Sequence, residues 1–242
     1  MSFLEHLEEL RKRLMRAVIA VVAAFLICLL YARSILDFLL RPIMPFLGQD
    51  RPVFLDLTEP FLLYMKVAFL AGLFLAAPVV LWQAWAFITP GLYPRERRYA
   101  VPFVASATLF FFVGGAFGYY VGFPTAARFL LGVAEGFEPS LRLSSLFGFE
   151  AKIMLGLGLV FELPTVILLL SRLGLVTAGF LWHHFKYAVL VSFILAAVLT
   201  PTPDVVTQCI FAGPMILLYL LGILIARLFG RDRIPGAATD GS

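Results

Sequence analysis

Five stretches of this chain carry no charged residue: Ala17 to Ala32, Val67 to Pro94, Tyr99 to Ala127, Tyr187 to Pro203 and Val205 to Ala226. A sixth apolar segment, about Phe149 to Ser171, is interrupted by Glu162. About 18 apolar residues suffice for a helix to cross the roughly 30 Å hydrocarbon core of a bilayer. With 62% hydrophobic and 14% charged residues, against about 45–50% and about 25% in soluble domains, an ordinary soluble fold is excluded. The expected fold is an all-α integral membrane protein, its six transmembrane helices near 14–31, 61–82, 100–123, 149–171, 187–199 and 205–226. Residues 1–229 then form one transmembrane domain with an N-terminal amphipathic helix. Residues 230–242 form a flexible cytoplasmic tail.

The fifth span is short. Its residues 187–199 rise only about 20 Å, less than the core thickness. Thr200-Pro201-Thr202-Pro203-Asp204 is therefore expected to form a tight polar turn set into the bilayer, the alternative being a re-entrant loop.

Topology follows from charge. With the N-terminus inside, the cytoplasmic pieces hold twelve of the 19 Lys and Arg: Arg11, Lys12, Arg13, Arg16, Arg95, Arg97, Arg98, Arg172, Lys186, Arg227, Arg231 and Arg233. The other seven are Arg33, Arg41, Arg51, Lys66, Arg128, Arg142 and Lys152. The positive-inside rule then places both termini in the cytoplasm. Trp82, Trp85, Phe87 and Tyr93 fit an aromatic belt at that interface. The basic start of the first apolar run is preceded by acids and followed by no clear small-x-small cleavage pattern, so it reads as a retained span. The net charge of +4 comes without a long basic run, which gives no support to nucleic-acid binding.

Cys28 and Cys209 lack the spacing of a disulfide framework, zinc site or redox pair. His6, His183 and His184 have no second ligand cluster or triad partner, and no nucleotide fingerprint occurs. No cofactor is expected.

Three places carry polar chemistry. The start, Ser2-Phe3-Leu4-Glu5, is a capping-box pattern followed by Leu7, Leu10 and Leu14 at helical spacing, which reads as an amphipathic helix on the membrane surface. Glu8 with Lys12 and Glu9 with Arg13 are i,i+4 pairs, which serve either a solvated face or a site. In Tyr93-Pro94-Arg95-Glu96-Arg97-Arg98, Pro94 suits a first helical turn and sets Glu96 near its positive end. Carboxylates from both segments share one rim, and each can receive a guanidinium fork, which discriminates arginine from lysine by geometry.

Glu162 lies within the fourth span, where a carboxyl group must be protonated, paired or wetted. Pro164 removes a donor and frees the carbonyl of Val160, so a bend and a polar notch are expected. Glu162 either bonds internally to Gln208 or Thr200, or serves a partner's polar residue or a proton. Gly114, Gly118 and Gly122 permit close helix approach, within the monomer or in a dimer.

Four segments together resemble the TatC family, the multispanning receptor subunit of the twin-arginine protein translocase. They are His6-Leu7-Glu8-Glu9-Leu10-Arg11-Lys12-Arg13, then Trp85-Ala86-Phe87-Ile88-Thr89-Pro90-Gly91-Leu92-Tyr93 running into Glu96-Arg97-Arg98, then Phe161-Glu162-Leu163-Pro164, and the turn from Thr200 to Gln208. The resemblance spans nearly the whole chain. It implies a multi-pass protein of the prokaryotic cytoplasmic (inner) membrane that binds twin-arginine signal peptides of folded precursors. It also implies assembly with TatA-type and TatB-type single-span subunits in an oligomeric complex, and export driven by the proton motive force without enzymatic activity.

Carried over by position, Glu9, Arg11, Phe87, Glu96 and Arg98 belong to the signal-peptide rim. Glu162, Thr200 and Gln208 belong to a partner-binding membrane face, and Pro42 and Pro164 have structural roles. Two features depart from the family pattern. Thr202 separates the prolines of the turn, and Glu8 sets a second acid beside Glu9 that is able to share its role. From the residues alone the competing reading is a proton-coupled small-solute transporter using Glu162, against which stands the lack of inverted repeats and paired broken helices.

Overall fold

The computed structural model describes residues 3–42, 44, 53–88, 100–134, 141–200 and 204–230. Phe3 to Leu30 form one 28-residue helix, α1, and α2 follows at Ala32–Leu40. The second span is α3, Glu59–Ile88. The third begins as α4, Ala100–Phe117, passes through a π-helical turn at Gly118–Gly122 and continues as α5, Phe123–Val133. The fourth is divided at Glu162 into α6, Leu143–Phe161, and α7, Leu163–Arg172. A short helix, α8, Ala178–His183, leads into α9, Phe185–Leu199, and α10, Val205–Phe229. Among the described residues five spans are long and apolar enough to cross a membrane, and α9 is shorter. The described residues form no β-strand; one isolated bridge joins Val53 to Arg142.

The amphipathic start does not form a separate surface helix. No glycine or proline occurs between Phe3 and Leu30, so nothing breaks the backbone ladder and the segment continues directly into the first span. The third span runs ten residues past its expected end because the π turn lies just ahead of Pro124. The proline then falls in the first turn of α5, where its missing N–H costs nothing. The fourth helix starts at Leu143 rather than 149. Its break matches expectation: Pro164 sits in the first turn of α7, and the Glu162 N–H bonds to the Leu159 carbonyl at 3.1 Å, a tighter turn than the helix before it.

The helices pack through small residues. A methyl added at Gly72 on α3 would stand 2.9 Å from the Phe25 backbone of α1, and one at Gly118 would stand 2.9 Å from Met154 Cα of α6. Gly114 likewise faces Phe161, and Gly122 faces Ile153 and Phe211. The glycine ladder is therefore spent on packing inside the chain, where it lets α4 lie against α6. Around that contact a core gathers Leu63, Val67, Phe123, Ile153, Leu157, Phe211 and Met215. Trp85, expected in the interfacial belt, instead turns inward and stacks on Phe103 with ring centroids 4.3 Å apart, while Trp82 is exposed.

At one end of the bundle α3 and α6 begin side by side. Glu59 accepts bonds from Arg142 Nε at 2.9 Å, Ser144 N at 3.3 Å and Leu55 N at 3.0 Å. Val53 adds backbone bonds to Leu141 and Leu143, each 3.0 Å. The Glu59 carboxylate holds the Arg142 guanidinium above its already high ordinary pKa. At the opposite end α7 packs on α10, with Ile167 against Gly222 and Ser171 against Gly230. The Tyr219 hydroxyl donates to the Leu181 carbonyl at 2.9 Å and ties α8 to α10.

Candidate functional site

Two polar regions stand out, one at the start of α1 and one within the bundle. At the first, the helical period separates the two adjacent acids. Glu8 points outward and pairs with Lys12 at 2.8 Å, its side chain 65% exposed. Glu9, about 100° around the helix, is only 21% exposed and accepts a bond from Arg13 at 3.3 Å. The other arm of Arg13 donates to Oε1 of Gln83 on α3 at 3.5 Å.

His6 adds a second tie between these helices, its ring lying 4.6 Å from that of Phe87. The structure thus brings Glu9 and Phe87, 78 positions apart in the chain, to one corner where α1 begins and α3 ends. Glu8, Glu9, Lys12, Arg13 and Arg16 line one surface groove there, and Arg11 lines an adjoining one with Glu8 and Lys12. Glu96 and Arg98 lie outside the described residues.

At this corner the Glu9 carboxylate is held through one oxygen by one arm of Arg13. A carboxylate already held by one arginine has the geometry to accept another, and a planar fork satisfies both of its oxygens. The half-buried position of Glu9 shields its ion pair from bulk water more than the exposed position of Glu8 does.

Within the bundle Glu162 is half-buried, about 15 Å along the axis from Arg172 and about 28 Å from Leu143. Its Oε1 makes no hydrogen bond within 3.5 Å among the described residues, and the Thr165 hydroxyl, one turn on, interacts with the carboxyl group without closing one. The two polar residues proposed as its internal partners are engaged elsewhere. The Gln208 amide donates to the Phe193 carbonyl at 3.0 Å, and the Thr200 hydroxyl donates to the Ala196 carbonyl at 2.8 Å. Thr200 is 2% exposed and ends α9, while Asp204 caps α10 by accepting from Thr207 N at 2.6 Å. Pro201, Thr202 and Pro203 lie outside the described residues. Pro42 lies in the turn that directly follows α2 and is half-buried.

Glu162 and the Gln208 amide stand at one depth. Leu199 packs on Gly156, and from that contact both Glu162 on the fourth span and Phe193 on α9 lie six residues further, about 9 Å, toward the same end.

Glu150 escaped the sequence reading. It is fully buried, and neither carboxylate oxygen has a hydrogen-bond partner among the described residues. The signal was present in the stripe Phe147, Glu150, Ile153, Met154 and Leu157, whose helical spacing puts the acid on the buried face. Among the described residues no group of His, Cys, Asp or Glu is arranged to hold a metal ion.

Comparison with known proteins decides the family. The family described as "Sec-independent protein translocase protein (TatC)" matches residues 5–214. The chain belongs to the TatC family. A TatC of Koribacter versatilis (strain Ellin345) is 48% identical over 232 residues, covering 94% of this chain and 86% of that protein. A TatC of Desulforapulum autotrophicum is 41% identical over 233 residues, covering 96% and 86% respectively. A crystal structure of the twin-arginine translocase receptor TatC superposes with a TM-score of 0.78 at 33% identity, covering 92% of this chain and 98% of that one. A second, in DDM, gives 0.81 at 32% identity, covering 92% and 99%. TatC proteins are translocase components, not enzymes.

Proposed function

We propose that this chain is the signal-peptide receptor of a twin-arginine translocase in a prokaryotic cytoplasmic membrane, with both termini on the cytoplasmic side. The observation that carries this reading is the corner where Glu9, held by Arg13 and Gln83, lies beside the His6–Phe87 pair. An incoming arginine pair is received by Glu9 and by Glu96, and Phe87 gives the apolar part of the peptide a surface. Arg11 and Arg98 flank the rim as positive charges that set its register.

Glu162 and Gln208, at one depth in the bundle, form the membrane face for single-span TatA-type and TatB-type subunits, and Thr200 braces that face from inside. A neutral or partly wetted carboxyl with an open oxygen is the group to which a partner's polar side chain donates. Export is driven by the proton motive force, and the cargo is a folded precursor protein.

The test is binding of a fluorescent twin-arginine peptide to the purified protein, beside its Lys-Lys counterpart and the Glu9→Gln and Glu96→Gln variants. Selective Arg-Arg binding, lost in both variants, supports the rim. Equal binding of the Lys-Lys peptide removes its physical basis, because a bidentate site distinguishes the two.

A further inference from the structure

A groove between α1, α3 and α6 lies apart from both polar regions. Phe25 of α1, Phe69 and Leu70 of α3, and Ala151 and Leu155 of α6 line it, and its volume is about 470 Å³. Gly148 lines the α6 side, and a methyl placed there would meet nothing within 4 Å. The lining is apolar except for one residue, Lys66.

Lys66 sits seven residues inside α3, about 10 Å along the axis from Glu59. Lys152 sits nine residues inside α6, about 13 Å from Leu143, one residue beyond Ala151 of the groove wall. Because Glu59 and Arg142 pin the starts of these helices together, the two lysines stand at nearly the same depth. Both are exposed, and neither makes an ion pair with a described residue. Both lysines stand inside spanning helices, within the spans 61–82 and 149–171 expected from the sequence.

A lysine at this depth extends its ammonium toward the nearer interface along its own apolar stem. The anions available at that level are lipid phosphates, and the groove running deeper from the lysines has the apolar walls that an acyl chain needs. We propose that this groove binds an anionic phospholipid, one acyl chain seated between α3 and α6 and the phosphate held by Lys66 and Lys152. A zwitterionic lipid brings the same phosphate together with a compensating cation, so two unpaired lysines favour the anionic headgroup.

Native mass spectrometry of the full chain released from detergent tests this, with phosphatidylglycerol and phosphatidylcholine of identical chains. The unaltered protein should retain phosphatidylglycerol over phosphatidylcholine by about fivefold or more, the scale of one lysine at a membrane surface. The double variant Lys66→Gln, Lys152→Gln should retain both equally, and Lys66→Arg, Lys152→Arg should keep the preference. Gly148→Leu, which fills the groove and spares the lysines, should lower retention of both lipids. If the glutamine variant fails to fold, as read by lost helical circular dichroism, the arginine and leucine variants carry the test alone. A preference that survives both glutamines, or is absent from the unaltered protein, overturns the proposal. So does Gly148→Leu if it leaves lipid retention unchanged and instead reduces recovery of a single-span partner, since the groove is then a seat for a helix.

Discussion

Glu59 Oε1 and Arg142 Nε lie 2.9 Å apart and join the start of α3 to the start of α6 across 83 positions of sequence. The carboxylate is 4% exposed and also takes the backbone N–H groups of Leu55 and Ser144. Its removal leaves three donors unpaired at once, and the cost of unmade bonds exceeds the gain from made ones. Glu59→Ala should therefore lower the melting temperature in detergent clearly, whereas Lys12→Ala, which breaks an exposed pair, should leave it nearly unchanged. Equal effects would show that the Glu59 contacts add nothing beyond a surface ion pair.

Glu150 has no such partners. Burial of an unsatisfied polar group costs about 1–3 kcal/mol, so Glu150→Leu should raise stability by about that amount in reversible unfolding from mixed micelles. A destabilised variant would mean that the carboxyl group is satisfied by something it binds.

Receptor binding should divide the two adjacent acids. Glu9→Ala should weaken twin-arginine peptide binding about 10- to 100-fold, the scale of a charge-assisted hydrogen bond, and Glu8→Ala by much less. Titration of both variants with one labelled peptide decides it, and a larger loss at Glu8 reverses the assignment.

The membrane site should be separable from the rim. Glu162→Ala should reduce co-purification of single-span partners while leaving peptide affinity unchanged, because the carboxyl lies about 15 Å up the bundle from Arg172. Normal partner recovery would refute a role in assembly.

Packing of the third span on the fourth should tolerate no side chain at Gly118. Its absent Cβ would stand 2.9 Å from Met154 Cα, so Gly118→Val should cost about 1–3 kcal/mol through overpacking. Gly132, where a methyl would meet nothing within 4 Å, should accept alanine without loss, and thermal melts of the two variants compare them directly.

The spans, the short α9 and the break at Glu162 were legible in the amino-acid sequence, because bilayer thickness imposes a minimum apolar length and proline withholds a donor wherever it stands. The family was legible as well, since its motifs are contiguous runs of residues. Contacts between distant segments were not. Whether Glu8 or Glu9 faces Gln83, whether Trp85 points to lipid or to Phe103, and whether Arg142 is a loop cation or the partner of Glu59 depend on which helices become neighbours. Nothing local to those residues carries that information. Glu150 is the intermediate case: its helical stripe marks a buried position, but only the packing of α6 shows that no partner among the described residues reaches its carboxylate.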